Sequence, residues 1–145
     1  TVATVIESTI RAIEAGGEAS VRIDDILNET GISKGSLYHH FGGREGLIAA
    51  ARVTQFSRFV AEDAKNIRET LTKTTTFDEF IAATSALVQT GNTVDRERAR
   101  HNRLSVIASS YGRPELRESL ALQQHTHTRC RPACILGWHY GHGRN

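Results

Sequence analysis

Methionine is missing from all 145 residues, position 1 included. The expectation from that absence is that a few residues precede Thr1 in the translated product. Cysteine occurs only as Cys130 and Cys134, near the C-terminus. Two cysteines make no disulfide scaffold in a chain with no export signal. No apolar run approaches the about 18 residues that a membrane helix needs. No basic stretch leads into an apolar one, as a signal peptide requires. Together these absences point to the cytoplasm and to no membrane partner. A large charge of either sign is absent too, since the formal net charge is +2. Between Thr1 and Arg52 there are five Lys and Arg against seven Asp and Glu. Bulk charge therefore carries no nucleic-acid signal, and any such reading must rest on where single cations sit.

Catalytic patterns are lacking as well. There is no glycine loop to cradle a phosphate, no nucleophile elbow and no His-Glu-x-x-His. Asp24 and Asp25 are neighbours on one helix, so their carboxylates point apart. The expectation is a protein that is not an enzyme and needs no cofactor. What the chain does have is an ordinary globular balance, 39% hydrophobic and 23% charged, too apolar for disorder.

The pattern is helical throughout. Val2, Val5, Ile6, Ile10 and Ile13 recur at helical spacing until Gly16-Gly17. Ile23, Ile26 and Leu27 form a short stripe closed by Gly31, and Ser33 can cap a third helix holding Leu37 and Phe41. Gly42-Gly43 breaks that helix. A long one then starts at Arg44 with Leu47, Ile48, Ala51, Phe56, Phe59 and Val60 available for burial, and ends before the polar run Thr72 to Thr76. Asp78 opens a further pattern with Phe80, Ile81, Leu87 and Val88, closed at Gly91-Asn92. Arg96 to Ser110 reads as helix, and Pro114 suits the first turn of another carrying Leu116, Leu120 and Leu122. The helical pattern fades from about His125. No period-2 alternation long enough for a strand is present, nor an internal repeat. The fold class expected is all-α.

The informative segment is Ser20 to Leu47. Two short helices joined at Gly31-Ile32-Ser33 make a helix-turn-helix, with Gly31 able to adopt the left-handed turn conformation. Ile26, Leu27, Ile32 and Leu37 would fix the angle between the helices and leave the N-terminal end of the second free to enter a major groove. Small residues there permit close approach. Lys34 reaches a phosphate or a guanine edge, and Ser33 and Ser36 can bond bases or phosphates. The helix N-terminus favours phosphate in its own right. Tyr38, His39 and His40 form a polar aromatic flank, and Arg44 could hold the facing strand.

The run Gly31-Ile32-Ser33-Lys34-Gly35-Ser36-Leu37-Tyr38-His39-His40-Phe41, followed by Arg44-Glu45-Gly46-Leu47, resembles the signature of tetracycline-repressor (TetR) type regulators. Arg44 stands where that family usually has Lys, which keeps the charge and alters its geometry. The resemblance covers the first third of the chain. It implies DNA contacts from Lys34, Gly35, Ser36, Tyr38, His39 and His40, with phosphate contacts from Arg22 and Arg44. It further implies a helix-turn-helix domain over residues 1–46 and a helical ligand-binding and dimerisation region over 47–128. The function implied is a ligand-responsive repressor that binds a palindromic double-stranded operator as a homodimer and is released by a small apolar effector. Phe56, Phe59, Phe80, Leu87, Leu104 and Tyr111 are the candidates to line the effector cavity, with plain core as the competing reading.

The chain is shorter than the family usually runs, and residues 129–145 lack the amphipathic pattern of a dimer helix. That tail reads as irregular sequence standing where a helix belongs, as a shifted reading frame would produce. A helical ligand- or partner-binding protein with weak, non-specific DNA binding is therefore the alternative. The tail also places Cys130 and Cys134 near His125, His127, His139 and His142, which are zinc-type ligands. Their spacing fits no standard finger, so the expectation is no metal site.

Overall fold

The computed structural model describes residues 1–89 and 94–128, with side chains left aside at 87–89, 94–96 and 124–128. Leu87 and the Cys130–Cys134 cluster with its histidines thus lie outside what is described. Among the described residues there are seven α-helices and no strand: α1 Val2–Gly16, α2 Ile23–Thr30, α3 Lys34–Phe41, α4 Arg44–Lys73, α5 Phe77–Gln89, α6 Val94–Ser109 and α7 Pro114–Thr128. A short 3-10 helix, Glu18–Ser20, joins α1 to α2. The all-α expectation holds. Two boundaries differ slightly from it: α4 runs two residues into the Thr72–Thr76 stretch, and α6 starts at Val94 rather than Arg96.

Local chemistry explains where the early helices stop. Gly31 sits at φ 67, ψ 9, and its N–H donates to the Leu27 carbonyl, which closes α2 in a left-handed cap. A side chain would be strained there. Ser33 then opens α3, its Oγ accepting from Ser36 N at 3.2 Å, one of the donors a helix start leaves unpaired. At the start of α5, Thr76 and Glu79 bond reciprocally. Glu79 N donates to Thr76 Oγ1 at 3.2 Å and Thr76 N donates to Glu79 Oε2 at 3.2 Å. This is a capping box, and the Thr-x-x-Glu spacing carried that signal in the sequence.

Three apolar clusters hold the helices. Val5, Ile26, Leu37 and Leu47 join α1, α2, α3 and α4, with Ile23, Leu27, Ile32 and Phe41 packed around them. Ile10, Ile13, Val21, Ile48 and Ala51 form a second cluster beside it. Phe56, Val106, Leu116 and Leu120 form the third, between α4, α6 and α7. Helix α4 is therefore the spine, since its first two turns belong to the N-terminal core and its middle to the C-terminal one. The division expected between residues 46 and 47 falls inside this helix. Gly46 has a packing reason. A Cβ there would overlap the Phe41 carbonyl oxygen, so only glycine lets α4 start this close behind α3.

Candidate nucleic-acid interface

The N-terminal core fixes α3 by one buried residue, Leu37, which has no exposed surface. With Leu37 and the half-buried Phe41 turned inward, the other side chains of α3 face out. Lys34, Gly35, Tyr38, His39 and His40 are exposed, as is Ser33 at the cap, while Ser36 is half-buried. Tyr38 is 45% exposed although it is one of the larger apolar side chains of the N-terminal unit. His39 and His40 lie edge to face with ring centroids 5.4 Å apart, and His40 meets Phe41 the same way at 6.3 Å. The result is a short, capped helix N-terminus with a lysine, a hydroxyl and aromatic groups on one accessible surface. Backbone N–H groups at such an end attract phosphate, and these side chains can bond phosphates or base edges.

Second-helix residues frame that surface. Arg22, the residue before α2, is exposed, and its Nε lies 3.8 Å from Asp25. Helix α2 is tied to α1 through Glu29, which accepts from both Ser8 Oγ and Arg11 Nη2. The Ser8 and Arg11 hydrogen bonds hold the Glu29 carboxyl below the usual range.

Arg44 departs from the expectation of a DNA contact. Its Nε donates to the Val21 carbonyl at 2.9 Å and its Nη2 to the Glu18 carbonyl, while Nη1 pairs with Glu45 at 2.9 Å. Three edges of the guanidinium are engaged within the chain, and the side chain is 38% exposed. The residue clamps the 3-10 helix to α4. Arginine is suited to this because its planar fork reaches several carbonyls at once.

A cluster that sequence reasoning missed lies beside this clamp. Arg52, on α4, is 3% exposed. Its Nε donates to Glu18 Oε1 at 2.8 Å, Nη1 to Gln55 Oε1 at 3.2 Å and Nη2 to Ser105 Oγ at 3.0 Å. Gln55 in turn donates to Glu14 at 3.1 Å. Arg113, in the turn between α6 and α7, donates to Glu18 Oε2 at 2.9 Å and to Glu45 Oε2 at 3.0 Å. Burial pushes the Glu18 carboxyl up, but the hydrogen bonds from Arg52 and Arg113 outweigh it and hold the group below the usual range. A signal was present: Arg52 and Gln55 follow Ile48 at four and seven residues, on the apolar stripe of α4. A charge on such a stripe needs a partner.

Of the six candidates for an effector cavity, the five whose side chains are described, Phe56, Phe59, Phe80, Leu104 and Tyr111, occupy different places. Phe56 belongs to the third core cluster. Phe59 packs on its edge, with the Arg103 guanidinium over its ring at 5.5 Å. Arg103 is itself held by Asp63 in two bonds of 2.7 Å. Phe80 is half-buried on α5. Leu104 on α6 and Tyr111 in the turn after it are 66% and 89% exposed, and Val106 takes the inward position on α6. An open cleft of about 560 Å3 does lie between α1, α4 and α7, lined among others by Ile6, Val53, Leu116 and Glu115. None of the five described candidates lines it.

Residues 5–51 match the family model for bacterial regulatory proteins of the tetR family. Residues 5–51 are therefore similar to the N-terminal domain of that family. The matched span runs from Val5, the first core residue of α1, to Ala51, the last of the N-terminal core on α4, so the tetR-like stretch coincides with the first two clusters. Over 67 residues the chain is 36% identical to the protein described as "Uncharacterized HTH-type transcriptional regulator YerO" of Bacillus subtilis (strain 168), a stretch covering 46% of this chain. The chain spans about a quarter of that relative's length, 23%. No solved structure matches. No described helix is long and apolar enough to cross a membrane, and no group of metal-ligating residues occurs among the described residues.

Proposed function

We propose that this chain is a DNA-binding transcriptional regulator that reads duplex DNA with α3. The observation that carries the reading is the exposed N-terminal half of α3, capped by Ser33 and held by Leu37, inside the tetR-like stretch. Lys34, Gly35, Ser36, Tyr38, His39 and His40 are the proposed DNA contacts, with Ser33 and Arg22 at their edges. Arg44 acts mainly through the 3-10 helix that it clamps.

The finer reading is a homodimer on a palindromic operator, released by a small apolar effector. The outward apolar side chains of Leu104 and Ile107 on α6, with Tyr111 in the turn that follows, support pairing, since they are 54% to 89% exposed in the single chain. The cleft between α1, α4 and α7 supports an effector better than the six residues suggested by sequence. Pairing sets the distance between two recognition helices, which a palindrome requires.

The test is binding of the full chain to duplexes selected from a random pool, read by fluorescence anisotropy over a salt series. Lys34→Ala is expected to weaken binding on every duplex and to flatten the salt slope by about one phosphate contact. Tyr38→Ala is expected to weaken it with little change in slope. Parental affinity in both variants at every salt concentration would remove α3 as the reading helix. Sedimentation at micromolar concentration tests the dimer, and a monomeric mass overturns it.

A further inference from the structure

Glu18 is fastened on three sides. Oε1 takes Arg52 from α4, Oε2 takes Arg113 from the α6–α7 turn, and the main-chain carbonyl takes Arg44 from the start of α4. Arg52 also reaches Ser105 on α6. Two arginines anchored to the C-terminal helices therefore converge on one carboxylate that belongs to the lead-in of the helix-turn-helix. Three residues beyond Glu18 lies Val21, which is buried in the second core cluster with α1 and α4 and whose carbonyl is held by Arg44. Arg22 and α2 follow directly. The 3-10 helix is also fastened to α1, with Ser20 Oγ donating to the Ala12 carbonyl and to the Gly17 carbonyl at 2.7 Å. Held on both sides, it has little room to absorb displacement locally.

We propose that the Glu18–Arg52–Arg113 cluster is a latch through which the α6–α7 turn sets the attitude of the helix-turn-helix. The Glu18 carboxylate is bonded by a different arginine on each oxygen, so a shift of α6 against α4 either breaks one charge-assisted bond or drags Glu18 with it. Glu18 passes the motion to α2, and α2 to α3 through Ile26 and Leu37, which share a cluster. Arg113 is the release point. It is 38% exposed, whereas the Arg52 side chain is 4% exposed, and it follows Gly112 at φ 80 in the turn. Arg113 and Glu18 are positioning residues that touch no DNA. The latch rests on the DNA-binding reading above for its consequence, though not for its mechanics.

The experiment uses the full chain and two readouts. Amide hydrogen exchange of the free protein is followed for Arg113→Ala, Arg113→Lys and Glu18→Gln, and duplex affinity is measured for the same variants over a salt series. Arg113→Ala is expected to speed exchange several-fold over residues 18–30 while leaving the Leu116–Leu120 segment of α7 unchanged. Duplex affinity is expected to change at least several-fold at an unaltered salt slope, with Arg113→Lys intermediate. Glu18→Gln should reproduce Arg113→Ala if the carboxylate is the shared point, and it covers the case in which one variant folds poorly. Unchanged exchange over 18–30 overturns the latch. So does parental duplex affinity in variants whose exchange has risen, and a reduced salt slope would make Arg113 a DNA contact instead. If the parent binds no duplex, the DNA-binding reading falls, and exchange alone decides the latch.

Discussion

The N-terminal third and the helices that follow it treat their apolar side chains differently. In the first, Val5, Leu37, Leu47 and Ile48 have no exposed surface and Ile26 and Val21 have 2%. In the second, one cluster of four buried residues coexists with Phe77, Leu104, Ile107, Tyr111 and Leu122 at 54% to 89% exposure. A unit that closes its own core can hold a recognition helix in one orientation. The described contacts of the second region do not specify a fully closed domain, and its outward apolar surface is what the proposed pairing would cover. Polar bonds, rather than packing, span the two at Glu18, Arg52 and Arg113.

The sharpest way to break this contrast is to truncate the closed core. Leu37→Ala is expected to cost about 2–5 kcal/mol, the range for large-to-small changes at fully buried sites, with the loss read by urea denaturation. A cost below about 1 kcal/mol would mean that the first unit is as loosely packed as the second.

Acid should act on the joint between the regions. Glu18 sits below its ordinary value near 4.5 in the folded chain. A carboxyl held low binds fewer protons folded than unfolded, so its contribution is complete above about 4.5 and is lost as pH falls through the folded value. Stability is expected to drop below that point, and Glu18→Gln should flatten the drop. The same drop in parent and variant would assign it to other carboxyls, such as Glu29 with its Ser8 and Arg11 bonds or Glu7 with Arg58.

The two regions were also unequally legible in the sequence. Glycines at 31, 42 and 43 and the serine at 33 punctuate the first unit by local rules, so its helices and its outward-facing residues followed from the chain alone. Arg44 misled because a cation near a recognition helix looks the same whether it faces phosphate or two main-chain carbonyls. Only the return of the 3-10 helix onto α4 distinguishes them. Helical spacing puts Arg52 on the apolar stripe of α4 and so calls for a partner, but that partner lies 34 positions away and the second arginine on it 95 away, which periodicity does not identify. Leu104 was ambiguous for a simpler reason. Apolar spacing on α6 marks two faces, and Val106 takes the inward one.

A smaller effect probes how far local chemistry supports the reading helix. Ser33→Ala removes the side-chain acceptor of Ser36 N and is expected to cost about 1 kcal/mol. Helix α3 has eight residues and one fully buried side chain, so the loss should show as faster exchange at Lys34 to Ser36 and weaker duplex binding. If stability and exchange both stay at parental values, the cap contributes nothing and Leu37 alone holds the helix.

The smallest expected effect bears on the outward face. Leu104→Ser with Ile107→Ser removes apolar surface that is already 66% and 54% exposed. Such changes away from packed contacts leave the stability of a single chain within about 0.5 kcal/mol. Under dimer-free conditions the denaturation midpoint should therefore hardly move, in contrast to Leu37→Ala. Sedimentation of the same double variant at micromolar concentration should show a lower mass than the parent if the proposed pairing uses this face. A large drop in the monomer's own stability would mean that α6 packs inward through this face, and the contrast between the two regions would then fail at the element where it is widest.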